Sequence, residues 1–143
     1  MGATITSTSC PDSSKVTMTD ATLRPPFCSR LRDLRERAPQ AVVALDNTWG
    51  AGLAFDAFDL GQGQGADVTI HALTKYPSGG GDVLMGSVVC RDDALYRTLA
   101  LSRSRIGHGV GANDVEMLLR SLPSLPLRYA AQDRAGCRLA QWC

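Results

Sequence analysis

This sequence predicts a layered α/β fold, and three observations predict it. Continuous apolar runs of strand length stand at Ala41–Asp46, Asp67–Ala72 and Val83–Cys90, each bounded by turn-forming or charged residues. Such runs mark strands buried on both faces. Before the first run and after the last lie stretches whose apolar residues recur three and four apart, the spacing of an amphipathic helix. Strands and helices in this alternation build a layered core.

Taken in order, residues 1–28 are rich in Ser, Thr and Pro and read as a poorly structured N-terminal segment. Residues 29–143 read as one α/β domain. It opens with a short surface helix over 29–40, with Leu31 and Leu34 on one face and a stop before Pro39. The first strand then runs to Asp46 and gives way to Asn47-Thr48-Trp49-Gly50. Gly61-Gln62-Gly63-Gln64-Gly65 imitates a dinucleotide-binding loop, but it precedes a strand instead of following one, so that reading is rejected. After the second strand comes a glycine-rich turn, Ser78-Gly79-Gly80-Gly81, and then the third strand. Asp92 or Asp93 is placed to cap a helix bearing Leu95, Leu99 and Leu101. Asn113 and Glu116 have the spacing of a capping box ahead of Val115, Leu118, Leu119 and Leu122, with Pro123 as terminator. A last helix is expected from about Leu127 towards Trp142.

Composition narrows the function classes. The 143 residues are 44% hydrophobic and 20% charged, with a formal net charge of +1. That leaves no electrostatic footprint for nucleic acid or an acidic membrane surface, and no apolar run approaches a membrane span. The first residues lack the basic-then-apolar pattern of a secretory signal. Five cysteines, Cys10, Cys28, Cys90, Cys137 and Cys143, show no CxxC spacing. An odd count without a signal fits reduced thiols and a cytoplasmic protein, with no metal site expected.

The chemistry concentrates at two strand ends. Lys15 and Lys75 are the chain's two lysines, and Lys75 falls where the second strand meets the glycine-rich turn. An amine there is suited to a Schiff base with an aldehyde cofactor. Asp46, closing the preceding strand, offers a carboxylate to a protonated pyridine nitrogen, and ligands of open α/β sheets collect at such carboxyl ends. Thr74 adds a hydroxyl suited to a phosphate oxygen. Singly, each has a plainer reading: Lys75 as a solvated lysine, Asp46 as a turn residue, His71 as a hydrogen-bonded histidine of the strand. The arrangement together points to pyridoxal 5′-phosphate.

Asp46-Asn47-Thr48-Trp49, then Thr74-Lys75-Tyr76 with its glycine-rich tail and Asp82-Val83-Leu84-Met85-Gly86, resemble the Cys/Met-metabolism (trans-sulfuration) family of pyridoxal-phosphate enzymes. Asn113 to Leu122 and Leu125-Pro126-Leu127-Arg128 follow the same family's pattern, and the resemblance covers about residues 38–142. It implies part of the large domain of a fold-type I PLP-dependent transferase, a mostly parallel sheet flanked by helices. It also implies that Lys75 carries the cofactor and moves the Cα proton, Asp46 pairs with the pyridinium nitrogen, and Thr74 contacts the phosphate. Ala72 stands where the family often has a second phosphate-binding hydroxyl, a serine, and Tyr76 is expected to pack. The implied reaction is a carbon–sulfur lyase step on a small sulfur amino acid: β-elimination of cystathionine to homocysteine, pyruvate and ammonia, in methionine biosynthesis. A γ-acting member is the alternative within the family. Family members are homo-oligomers, tetramers in full length, and much longer than this chain. The chain is therefore expected to be a central fragment, or a non-catalytic remnant that binds the cofactor weakly or associates with a full-length relative.

Overall fold

The computed structural model describes residues 24–142, with side chains from Cys28 onward. The first helix, α1, spans Arg24–Arg37, so residues 24–28 are helical and the rest of the 1–28 segment lies outside the described residues. Pro25 and Pro26 fall in its first turn, where a missing N–H costs nothing. Arg35 and Arg37 fall in its last, beside unpaired carbonyls. Leu31 and Cys28 are buried, while Leu34, placed on the same face by spacing, is half-exposed. Arg35 fastens the helix to the sheet. It donates to the Asp67 carboxylate at 2.7 Å and to the carbonyls of Ala41 and Gly65. Asp67 in turn accepts from the Val43 N–H at 2.8 Å, which sets the entry to the first strand.

Three strands, β1 (Ala44–Asp46), β2 (Val68–Ala72) and β3 (Gly86–Cys90), pair in the order β1-β2-β3. β1 runs parallel to β2 and places Asp46 opposite Ile70. β2 and β3 are antiparallel, with Ala72 opposite Gly86. The α/β class holds, and the sheet of the described residues is mixed where mostly parallel pairing was expected. Both connections, residues 47–67 and 73–85, hold turns and no helix; the longer one returns the chain to a parallel strand and the shorter one reverses it.

The strands are also shorter and more open than their apolar runs. Ala44 and Asp46 of β1 are exposed, contrary to a strand buried on both faces. In the third run Val83 is 2% exposed but Leu84 is 93% exposed, and both precede β3. An apolar run reports burial, and burial is not strand pairing: Val43 lies ahead of β1 yet its carbonyl accepts from the N–H groups of Asp67 and Val68. The core is correspondingly small, formed by Cys28, Leu31, Ala51, Ala57, Ala66, Val68, Val83 and Leu118. The Gly61–Gln64 segment closes as a tight reversal, with Gln62 and Gly63 at φ 55° and 69°, so it is a turn of the crossover.

Helix α2 (Asp93–Ile106) is capped by Asp92, whose carboxylate accepts from the Leu95 N–H at 2.9 Å, and it ends at Gly107 with φ 78°. Helix α3 spans Ala112–Ser121 and starts from Gly111 without a side-chain cap. The Asn113–Glu116 capping box does not form: the helix begins one residue before Asn113, and Glu116 instead pairs with Arg120 at 2.6 Å. Pro123 sits in a 3₁₀ turn, Leu122–Ser124, that leads straight into α4, Leu125–Trp142. Among the described residues no helix is long and apolar enough to cross a membrane.

Candidate active site

Asp46 and the Thr74-Lys75 pair stand at the carboxyl ends of neighbouring parallel strands, where a parallel sheet gathers its ligands. Two hydrogen bonds join those ends. The Asn47 N–H donates to the Ile70 carbonyl at 2.9 Å, continuing the ladder past β1. The Ala72 N–H donates to the Thr48 hydroxyl at 2.8 Å. The Asp46 carboxylate accepts from the Thr48 N–H at 2.9 Å. The Thr48 hydroxyl and this N–H hold Asp46 below the usual carboxylate value, with burial opposing more weakly and His71 adding a little. Asp46 is thus ionised at neutral pH while remaining exposed. His71 lies on the strand with its Nε2 3.2 Å from the Thr69 hydroxyl. Burial holds its pKa down, and the charge of Asp46 offsets part of that.

Lys75 sits in a turn that is bonded mostly to itself. The Ser78 N–H reaches the Leu73 carbonyl at 2.9 Å, and the Gly79 N–H reaches the Lys75 carbonyl at 3.3 Å. The buried Ser78 hydroxyl donates to the Thr74 carbonyl at 2.9 Å and accepts from the Gly81 N–H at 3.0 Å. The Lys75 side chain projects outward, its ammonium 5.6 Å from the centre of the Trp49 ring. Trp49 meets Tyr76 edge-on at 6.2 Å, and Tyr76 meets Tyr129 of α4 at 5.0 Å. Tyr76 is the packing residue it was expected to be. Trp49, Lys75, Tyr76, Gly79, Arg128 and Gln132 line a shallow cleft of about 130 Å³.

The structure therefore places Thr74 and Lys75 side by side on one turn and ties Asp46, through Thr48, to the end of the strand that leads into it. Asp46 and Thr74 do not line the cleft that holds the lysine. Thr74 is half-buried, and its hydroxyl has no protein hydrogen bond among the described residues. Residue-type reasoning missed Arg128, Ser78 and Trp49 as shapers of the site. For Ser78 and Trp49 the signal was adjacency to the motif residues; Arg128 lies far along the chain, in a stretch that follows the family's pattern without marking it as part of the site.

Residues 28–143 match the family described as Cys/Met metabolism PLP-dependent enzyme. Among curated relatives, a cystathionine beta-lyase of Bordetella avium is 33% identical over 71% of this chain and 24% of its own length. Cystathionine beta-lyase MetC of Escherichia coli is 32% identical over 76% of this chain and 26% of its own. A cystathionine gamma-synthase of Mycobacterium tuberculosis is 31% identical over 71% of this chain and 25% of its own. The chain thus spans about a quarter of the length of the curated relatives it matches. The chain belongs to the Cys/Met metabolism family of PLP-dependent enzymes, whose cofactor is pyridoxal 5′-phosphate.

Proposed function

We propose that this chain carries the cofactor-holding part of a carbon–sulfur lyase that acts on cystathionine by β-elimination, with Lys75, Asp46 and Thr74 as the groups that hold pyridoxal 5′-phosphate. The observation that carries the reading is the joining of two parallel strand ends, one bearing an ionised carboxylate and the other an outward-facing amine. The three residues suit the group. Asp46, ionised and hydrogen-bonded to the Thr48 N–H, matches a protonated ring nitrogen. Thr74 has an unspent hydroxyl for a phosphate oxygen, and Lys75 has an amine whose protein contact is an aromatic face. Ala72 provides no second hydroxyl, so the phosphate receives one side-chain contact fewer from this strand end.

When bound, pyridoxal phosphate supplies an electron sink for the electrons released at the substrate α-carbon. The chain's residues do the rest. Lys75 would hold the cofactor through Nζ, and the same nitrogen, when free, would take the substrate α-proton. Asp46 would keep the ring nitrogen protonated. Thr74 would offer its hydroxyl to the phosphate. Residues 29–143 are on this reading part of a larger cofactor-binding domain, whose full-length form is a homo-oligomer. The beta-lyase relatives favour β-elimination, and the gamma-synthase relative supports a γ-acting enzyme as the second reading.

Equilibrium dialysis of pyridoxal phosphate against the chain and its Asp46→Asn variant tests the cofactor assignment. Loss of the carboxylate is expected to weaken binding on the order of tenfold or more; equal binding removes Asp46 from the site. Pyruvate released from cystathionine supports β-elimination, and 2-oxobutyrate instead moves the reading to a γ-acting enzyme.

A further inference from the structure

We infer that Arg128 is a positioning residue for Lys75: its guanidinium, reaching from α4, clamps the lysine-bearing turn and fixes the direction in which Nζ leaves it. The inference rests on the proposed role of Lys75. Arg128 donates through Nη1 to the Tyr76 carbonyl, the residue directly after the lysine and 52 positions away in sequence. Through Nη2 it donates to the Ser121 carbonyl at 3.2 Å and the Ser121 hydroxyl at 2.9 Å, and through Nε to the Ser124 hydroxyl at 3.0 Å. All three nitrogens are spent on neutral oxygens from two separate segments. An exposed arginine ordinarily faces water or one carboxylate, so this fan is a built joint.

The turn is shaped to receive it. Gly79 has φ 75°, and a Cβ there would lie 2.9 Å from both the Arg128 Cζ and the Ser121 hydroxyl oxygen. Glycine thus serves the backbone conformation and the close approach of the guanidinium together. The other hydrogen bonds of residues 73–81 stay within residues 72–85. Arg128, with the Tyr76–Tyr129 ring contact, therefore supplies the turn's connection to α4. Arg128 and Lys75 also line the same cleft. A helix holding the backbone one residue beyond a reactive amine sets its aim, and small errors of aim are costly to reactivity.

The test uses the chain's second lysine as an internal reference. Wild type, Arg128→Ala and Arg128→Lys are exposed to pyridoxal phosphate and reduced with borohydride. Peptide mass spectrometry then gives the ratio of label on Lys75 to label on Lys15. Far-UV circular dichroism and hydrogen exchange of the 73–81 amides accompany each variant. The wild type is expected to favour Lys75. Arg128→Ala should lower that preference on the order of tenfold with helix content unchanged. Arg128→Lys should recover only part, since one ammonium cannot span the Tyr76, Ser121 and Ser124 oxygens. An unchanged ratio in folded Arg128→Ala overturns the inference and leaves the cofactor role of Lys75 standing. A wild type with no preference for Lys75 overturns both. Where Arg128→Ala does not fold, the Ser121→Ala/Ser124→Ala double variant removes two acceptors of the clamp, and an unchanged ratio there is equally fatal.

Discussion

Replacing Gly79 with alanine strikes backbone and clamp at once, and a second glycine separates the two effects. Gly79 and Gly81 have nearly the same conformation, φ 75° and 71°. An alanine at either position pays about 1–2 kcal/mol for the left-handed region. At Gly81 a new methyl meets nothing within 4 Å, whereas at Gly79 it meets the Arg128 Cζ and the Ser121 hydroxyl at 2.9 Å and Nη1 at 3.1 Å. Distances under 3 Å to carbon are not tolerated, so the guanidinium has to move and gives up at least one charge-assisted hydrogen bond, about 1.5–3 kcal/mol. Gly79→Ala should therefore destabilise by roughly 2.5–5 kcal/mol in total and Gly81→Ala by about 1–2 kcal/mol. That is a large share of the roughly 5–15 kcal/mol typical of a domain. Urea unfolding followed by far-UV circular dichroism measures both. Equal midpoints for the two variants refute the clamp as an energetic element, and a milder Gly79→Ala would mean that the guanidinium has room to give.

Other consequences are smaller and independent. Asp67→Ala removes the carboxylate shared by Arg35 and the Val43 N–H and should cost about 2 kcal/mol. Glu116→Ala, which breaks an exposed pair at 2.6 Å, should stay within about 0.5 kcal/mol by the same unfolding assay. Asp92→Ala deletes the α2 cap and should cost about 1 kcal/mol, with Asp92→Asn close to wild type. His71, whose folded pKa lies below 6.5, binds fewer protons folded than unfolded. Its contribution is whole above 6.5 and lost as pH falls through the folded value, ahead of Asp46, whose loss begins only below 3.8. His71→Asn should flatten the fall of the thermal midpoint in that interval, and a slope identical to wild type would remove His71 from the account.

Lys75 and Asp46 stand out as candidates because one is a rare residue type here and the other closes a strand. The nearness of the strand ends that carry them follows from two parallel strands in register. Pairing direction was less readable: the connection from Leu73 to Met85 is long enough for either direction, and it is spent on glycine-rich turns that reverse the chain. Burial of β1 was overread: alternation and run length report what a strand prefers to touch, whereas the described residues leave Asp46 and Ala44 open. The capping box failed because Gly111, extended at φ −70° and ψ 140°, takes the cap position ahead of Ala112. Arg128 was illegible for a different reason. Its partners are main-chain carbonyls and serine hydroxyls, which any sequence supplies, so no pattern of residue types announces the clamp.

Titration of the chain with pyridoxal phosphate, followed by the visible absorbance of lysine-linked cofactor, tests the central claim most directly. The account predicts a saturable band in the wild type that is lost in Lys75→Ala, with the reduced adduct mapping to the Lys75 peptide. A wild type without the band, or a band that survives Lys75→Ala, would contradict it.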